Sequence, residues 1–156
     1  MDEWRSLVEL EQEVARRRAE VNRLPSRPEI LTGALLNGSV WDRSVALEFL
    51  RDFPEDVPRL LEILVDLSLS PGWLKQAGEA IRAARQDISP SRFVEVARRA
   101  TGREDVEDYR SVCCVLADVG AWQALGVVVE QASGSRDPAI REIAQDFSEN
   151  YGKMIS

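Results

Sequence analysis

Apolar residues recur along this chain at three- and four-residue steps, and the same pattern returns four times. When the four segments are superposed, the first column holds Arg43, Leu74, Tyr109 and Ile140, which are separated by 31, 35 and 31 residues. The columns that follow at helical spacing hold Ala46, Ala77, Val112 and Ile143, then Leu47, Gly78, Cys113 and Ala144, then Leu50, Ile81, Leu116 and Phe147. Each segment therefore predicts an amphipathic helix with one apolar stripe, which only Arg43 interrupts. The third column holds mostly small residues, which lets helices approach closely.

The segments between these helices form a second repeating set. Residues 58–64, 91–97 and 122–128 align at steps of 33 and 31, and residues 28–34 fit the same register 30 positions upstream. Two helix types that alternate with a period of about 32 residues are typical of stacked helical hairpins. Because a single hairpin cannot bury its apolar face, each unit packs on its neighbours and the two ends of the stack need covering.

Capping residues, prolines and glycines mark the ends of the helices. The sequence Ser26-Arg27-Pro28-Glu29 predicts a capping box with proline in the first turn. Similar starts are indicated by Asp56, Ser70, Ser89 and Asp137, and stops by Gly38, Gly102, Gly120 and Gly134. These signals predict nine helices, at about residues 2–23, 28–37, 40–52, 57–69, 71–85, 90–101, 104–119, 121–132 and 137–151.

The repeating helices resemble those of a known family. Residues 137–147, with the sequence DPAIREIAQDF, are similar to the first helix of a HEAT repeat, and the likeness extends over residues 28–151. The signature residues of tetratricopeptide and ankyrin repeats, which have comparable periods, are missing. The resemblance implies an all-α fold, a right-handed α-α superhelix of about four helical hairpins plus a C-terminal capping helix. We expect residues 1–156 to form one such domain.

The first helix departs from the repeat and carries its own apolar stripe, which consists of Trp4, Leu7, Val8, Val14, Val21 and Leu24. We interpret residues 1–24 as an N-terminal capping helix that pairs with residues 28–37. An exchanged or oligomerising arm is the alternative. Arg16, Arg17 and Arg18 face elsewhere among glutamates, as expected for a solvated helix face.

Composition and charge narrow the class of partner. Of the 156 residues, 44% are hydrophobic and 30% charged, which is typical of a globular domain and argues against disorder. The formal net charge of −7 disfavours nucleic acid and anionic membranes and favours a basic protein. The sequence has no apolar run for a signal peptide or membrane span and only two adjacent cysteines, so we expect a cytoplasmic protein. We expect it to be a monomer or a weak dimer.

The residue types needed for common catalytic sites are scarce. The chain has no histidine, so Ser-His and Cys-His pairs and His-containing metal sites cannot form. Cys113 falls in the small-residue column, and Cys114 has no histidine to lower its pKa, so both are interpreted as structural. No phosphate-binding loop is present, and we expect neither cofactor nor metal. Paired carboxylates, as in DNA glycosylases that resemble this chain only in architecture, remain as an enzymatic alternative.

Other prominent residues have a structural interpretation beside a functional one. The acidic run Glu104, Asp105, Glu107 and Asp108 suits a solvated helix start, or else a patch for a basic partner. Trp41, Trp73 and Trp122 suit the core between repeats, or else the anchors of an interface.

The candidate partner-binding residues lie on the outward columns of the second helix set: Arg59, Glu62, Asp66, Arg92, Glu95, Arg99, Gln123 and Glu130. Their alternating charges could dock a complementary protein, although neighbouring charges could equally satisfy one another. We therefore expect a non-enzymatic protein-binding module, similar to the short HEAT-like immunity proteins that inhibit bacterial toxins. The alternatives are a scaffold or regulatory subunit of a larger complex and, more remotely, a nucleic-acid repair or binding protein of the HEAT-like glycosylase type.

Overall fold

A computed structural model describes residues 2–156, and the regular secondary structure of this part of the chain is entirely helical. The helices are α1 (Asp2–Asn22), α2 (Arg27–Asn37), α3 (Val40–Asp52), α4 (Val57–Ser68), α5 (Leu74–Ala83), α6 (Pro90–Ala100), α7 (Val106–Val119), α8 (Trp122–Ser133) and α9 (Pro138–Ile155). Two single 3-10 turns, Pro54–Asp56 and Arg85–Asp87, precede α4 and follow α5. The all-α prediction is therefore confirmed, and the helix bounds agree with the sequence pattern to within a few residues.

The helices pack in two rows that follow the two repeating sets of the sequence. In one row α3 contacts α5, α5 contacts α7 and α7 contacts α9. In the other, α2 contacts α4, α4 contacts α6 and α6 contacts α8. Neighbours in the chain, such as α4 with α5 and α8 with α9, join the rows. Each helix inside a row therefore packs against the helix before it and the helix after it in that row.

The core lies between the rows and is built from the predicted columns. The second and third columns are buried throughout, as are Leu50, Ile81 and Leu116 of the fourth. The small-residue column allows close approach, since a Cβ atom on Gly78 would lie 3.3 Å from a carboxylate oxygen of Asp118 on α7. Arg43, the polar member of the first column, donates from Nε to the carbonyl oxygen of Leu35 at 3.0 Å. It thereby satisfies one of the last carbonyls of α2.

Buried polar groups also join neighbouring helices. The Gln131 side-chain amide on α8 donates to the hydroxyl of Tyr109 at 2.7 Å and to that of Thr101 at 3.1 Å. Tyr109 and Thr101 are buried, and Thr101 donates onward to the carbonyl of Ala97 at 3.0 Å. This network ties the end of α6 to α7 and α8.

The helix starts follow the sequence signals only in part. Ser89 and Asp137 accept hydrogen bonds from the backbone amides of Arg92 and Ala139, as predicted. The capping box predicted at Ser26 is wrong, because its side chain accepts no capping bond. The box forms instead at α3, where the Ser39 hydroxyl accepts from the amide of Asp42 at 3.1 Å and the Asp42 carboxylate accepts from the amide of Ser39 at 2.8 Å. Helix α5 begins three residues later than predicted because residues 70–73 form a turn.

Candidate functional site

The eight residues predicted to bind a partner lie on the solvent side of α4, α6 and α8. All are exposed except Glu62 and Arg92, which are half-buried. The opposite sides of the same helices supply the core residues Leu60, Leu64, Phe93, Ala97, Leu125 and Val128. Because the core fixes how each helix is rotated, the outward residues are held in a regular row. We call this surface the charged face.

Two ion pairs join members of the charged face. Arg99 on α6 contacts Glu62 on α4, with 2.7 Å between Nη1 and Oε1, so this pair bridges neighbouring helices. Arg92 contacts Glu95 within α6 at 3.0 Å. Among the described residues, Arg59, Asp66 and Glu130 take part in no ion pair. The face therefore keeps one cation and two carboxylates that a partner could pair.

The charges of the face also act on Asp66. Partial burial raises the pKa of the Asp66 carboxyl, and the nearby Glu62 carboxylate adds to this, while Arg99 and Arg103 act in the opposite direction. A carboxylate whose pKa is raised gains from a nearby cation, because the cation offsets the cost of its ionisation. A basic group on a partner would supply that cation.

A shallow groove between α6 and α8 adds apolar surface to the charged face. It has a volume of about 580 Å³ and is lined by Ser91, Val94, Glu95, Arg98, Gln123 and Val127. The half-buried Val94 and Val127 are the apolar members, and charged or polar side chains surround them. Protein interfaces commonly combine such an apolar centre with a polar rim. The sequence columns did not indicate this groove, since both valines fall on the helix positions between the core and the charged row.

The other clusters noted in the sequence have structural partners. Asp105 caps α7 by accepting from the amide of Asp108 at 3.0 Å, and Asp108 pairs with Arg103 at 2.9 Å. Arg16 and Arg17 pair with Glu13 in the same helix. Their neighbour in sequence, Arg18, reaches α3 instead and contacts Glu48 and Asp52.

The two cysteines differ in their surroundings. Cys113 is fully buried, and burial, with a smaller effect of Cys114, raises the pKa of its thiol to about 12. Cys114 is half-buried and lines a cavity of about 500 Å³ with Leu74, Lys75 and Tyr151. Burial also raises the pKa of the Cys114 thiol, and the neighbouring Arg110 only partly opposes this. Both thiols are therefore held in the neutral, unreactive form.

Of the three tryptophans expected in the core, two are half-buried and the third is exposed. Trp73 and Trp122 pack against the core cluster. Trp41 is 80% exposed, so the prediction that it seals the core between repeats is wrong. Trp41 lies on α3, which is the first helix of its row, so no helix of a preceding repeat packs over it.

Trp41 lines a second groove, which the sequence did not indicate. This N-terminal groove has a volume of about 880 Å³ and runs between α1 on one side and α2 and α3 on the other. Its apolar lining consists of Val14, Val21, Ile30, Leu31, Ala34, Trp41, Val45, Ala46 and Phe49. Helix α1 lies beside this end of the molecule and buries none of its own residues. The capping role of residues 1–24, of which residue 1 lies outside the described residues, stays a prediction.

Comparison with known proteins identifies no relative: no family model, curated protein or solved structure matches the chain. Within residues 2–156, no helix is both long and apolar enough to cross a membrane. No cluster of three or more potential metal ligands occurs in the same part of the chain.

Proposed function

We propose that this protein is a non-enzymatic protein-binding module that engages its partner through the charged face. The observation that supports this most directly is the groove between α6 and α8, where Val94 and Val127 lie within a ring of charged and polar side chains. Apolar contact there would contribute affinity, and the surrounding charges would set orientation and partner choice.

The expected partner is a basic protein. The chain carries a formal net charge of −7, which attracts a cationic protein over distances of about 8 Å in physiological salt. On the face itself, Asp66 and Glu130 offer carboxylates outside any ion pair of the described residues, and Asp66 would gain from a cation beside it. An Arg or Lys of the partner fits both positions.

The specific role we propose is that of a cytoplasmic inhibitor, comparable to the bacterial immunity proteins that neutralise toxins. The two rows of helices support the architecture proposed from the sequence, a right-handed superhelix of about four hairpins closed at the C-terminal end by α9. Such a stack holds its outward residues at fixed spacing without a ligand, which lowers the ordering cost of binding. An inhibitor that must act at once on a toxin benefits from this preorganisation.

A scaffold or regulatory subunit is the second candidate, and the N-terminal groove favours it. A permanent subunit isolated from its complex exposes an apolar surface, and Trp4 and Trp41 are 61% and 80% exposed at this end. The two roles differ in what the purified chain does alone. An inhibitor stays soluble and loses nothing without its partner, whereas an isolated scaffold aggregates through the exposed surface.

The test is affinity capture from the native host with two variants of matched charge. The first carries Arg59→Glu, Arg92→Glu and Arg99→Glu on the charged face. The control carries Lys75→Glu, Arg110→Glu and Lys153→Glu, three exposed positions on the α3–α9 row with the same total change in charge. We expect the wild type and the control to retain one stoichiometric protein that the first variant loses.

The retained protein decides between the two roles, because an inhibitor abolishes its partner's activity in a purified assay and a scaffold does not. Equal retention by both variants would overturn the charged face as the binding surface. Capture of nothing by a folded wild-type chain would overturn the binding module itself.

A further inference from the structure

The N-terminal end of the α2 row is uncovered where every later repeat is covered. Ile30 on α2 occupies the same register position as Leu60 on α4, Phe93 on α6 and Ala124 on α8. Leu60 is 3% exposed and the other two are also buried, but Ile30 is 46% exposed. Isoleucine suits a buried position, and Ile30 is exposed because no helix packs against it.

Helix α1 is placed to supply that cover but does not. Its contact with α3 is polar, made by Arg18 with Glu48 and Asp52 at 3.1 and 3.0 Å. Val14 and Val21 line the N-terminal groove, and Trp4 and Leu7 continue the same row of α1 by helical spacing. Val21 is half-buried and packs against the core, but Trp4, Leu7 and Val14 are exposed and no residue of α1 is fully buried. Most of the apolar side of α1 and the groove are therefore open together. Amphipathic helices gain most of their stability from packing this side, so α1 needs a partner.

The charges of α1 indicate what that partner is. Residues 2–13 contain five acidic side chains and one arginine, and residues 14–24 contain four arginines and one glutamate. The helix is therefore acidic in its first half and basic in its second. Two copies of α1 laid antiparallel place the acidic half of each beside the basic half of the other. A two-fold axis, the commonest symmetry of protein dimers, produces this arrangement.

The apolar row has the same symmetry. With the axis at Val14, Leu7 lies opposite Val21 of the second copy. The first half of each α1 then enters the groove of the other molecule, beside Trp41 and Val45. The geometry points to a homodimer in which each chain covers the open N-terminal end of the other.

Pairs within α1 do not prevent this exchange. Arg16 and Arg17 contact Glu13 three and four residues away; the two arginines are largely exposed and Glu13 is half-exposed. Exposed pairs of this kind contribute little, so the arginines can turn to carboxylates of the second copy at small cost. The charged face lies on α4, α6 and α8, away from α1, so the dimer is independent of partner binding through that face. It would occupy the apolar surface that the scaffold alternative uses.

Sedimentation equilibrium of the full chain provides the first test. We expect a dimer whose dissociation constant rises at least about tenfold in Leu7→Asp, since a symmetric interface contains each substitution twice. Trp41→Ser should have a similar effect. Gln12→Asp, on another side of α1, is the matched control and should leave the constant within about twofold of the wild type. Circular dichroism of each variant establishes that the loss of association is not a loss of folding.

Variants that reverse the sign of the charge in one half of α1 at a time test the charge pairing between the two copies. Arg16→Glu with Arg17→Glu makes the helix acidic along its whole length, and Glu9→Lys with Glu11→Lys and Glu13→Lys makes it basic. Each variant alone should be monomeric, and an equimolar mixture should form a heterodimer.

Disulfide cross-linking, in a Cys114→Ser background, determines whether the two α1 helices run antiparallel. Oxidation should join two copies of Val14→Cys at the axis, while Leu7→Cys should stay unlinked because its two sites lie about 21 Å apart. A monomeric wild type at millimolar concentration, or efficient cross-linking of Leu7→Cys, would overturn the antiparallel dimer. A monomer that instead binds an unrelated amphipathic peptide in the groove would assign the groove to another protein.

Discussion

Arg27 and Asp56 form a two-point ion pair that joins the start of α2 to the turn before α4. Nη2 of Arg27 lies 3.0 Å from Oδ1 of Asp56, and its Nε donates to the other carboxylate oxygen. Both side chains are largely buried, at 12% and 7% exposed. Nη1 of Arg27 also donates to the backbone and side-chain oxygens of Asn22, the last residue of α1. One guanidinium therefore fixes where α1 leaves the body of the molecule.

Removing this pair should destabilise the fold measurably. We expect Asp56→Ala to lower the free energy of unfolding by about 3 kcal/mol, because it leaves a buried guanidinium without its carboxylate. Glu55→Ala is the control, since Glu55 also contacts Arg27 but its side chain is 76% exposed; it should cost below about 1 kcal/mol. Urea unfolding monitored by circular dichroism measures both, and equal losses would contradict the buried pair.

The sequence predicted the interior of this fold well because its repeats share one environment. Columns such as Ala46, Ala77, Val112 and Ile143 are buried in every repeat, so periodicity alone identifies them. Periodicity does not predict the role of Asp56. Its position before a proline suggested a helix cap, whereas its side chain makes no capping bond and pairs with Arg27, 29 residues earlier. Proximity along the chain favours a cap, and only the packed structure brings Arg27 within reach.

The ends of the stack could not be predicted for a related reason. A register position carries the same residue type whether or not a neighbouring helix covers it, so Ile30 resembles Leu60 in sequence and differs in exposure. The charged face was predictable residue by residue, because outward columns follow from the inward ones. The pairing of Glu62 with Arg99 was not, since it depends on the distance between α4 and α6.

Stability should depend on pH through Asp66. The pKa of this carboxyl is raised in the folded protein, so between the ordinary Asp value of 3.8 and the higher folded value the folded state binds more protons than the unfolded state. Stability therefore falls as the pH rises through this window, and the ionised form is a cost at neutral pH. We expect Asp66→Asn to raise the free energy of unfolding at pH 7 by below about 1 kcal/mol, since water screens this partly exposed group.

The same variant at low pH provides the control. Below pH 3.8 the proton is bound in both states, so the difference between Asp66→Asn and the wild type should vanish there. Thermal unfolding at both pH values measures the effect. A variant that is less stable than the wild type at pH 7 would contradict the raised pKa.

The thiols should be slow to react. With a pKa of about 12, Cys113 has a thiolate fraction at neutral pH that is about a thousandfold or more below that of a free cysteine. We expect Ellman's reagent to modify Cys114 slowly and Cys113 only after unfolding. Cys114→Ser should remove the slow phase and leave the unfolded-state reaction of one thiol. Rapid modification of the native protein near pH 7 would indicate an activated cysteine and contradict the structural role of both.

Site-specific photo-cross-linking in the native host tests whether the partner binds on the charged face. A photoreactive amino acid replaces Gln123, at the groove between α6 and α8, or Gln145, an exposed position on α9. We predict a single cross-linked protein from position 123 and none from position 145. A cross-link from position 145 alone, or the same product from both positions, would contradict the charged face as the surface on which the partner binds.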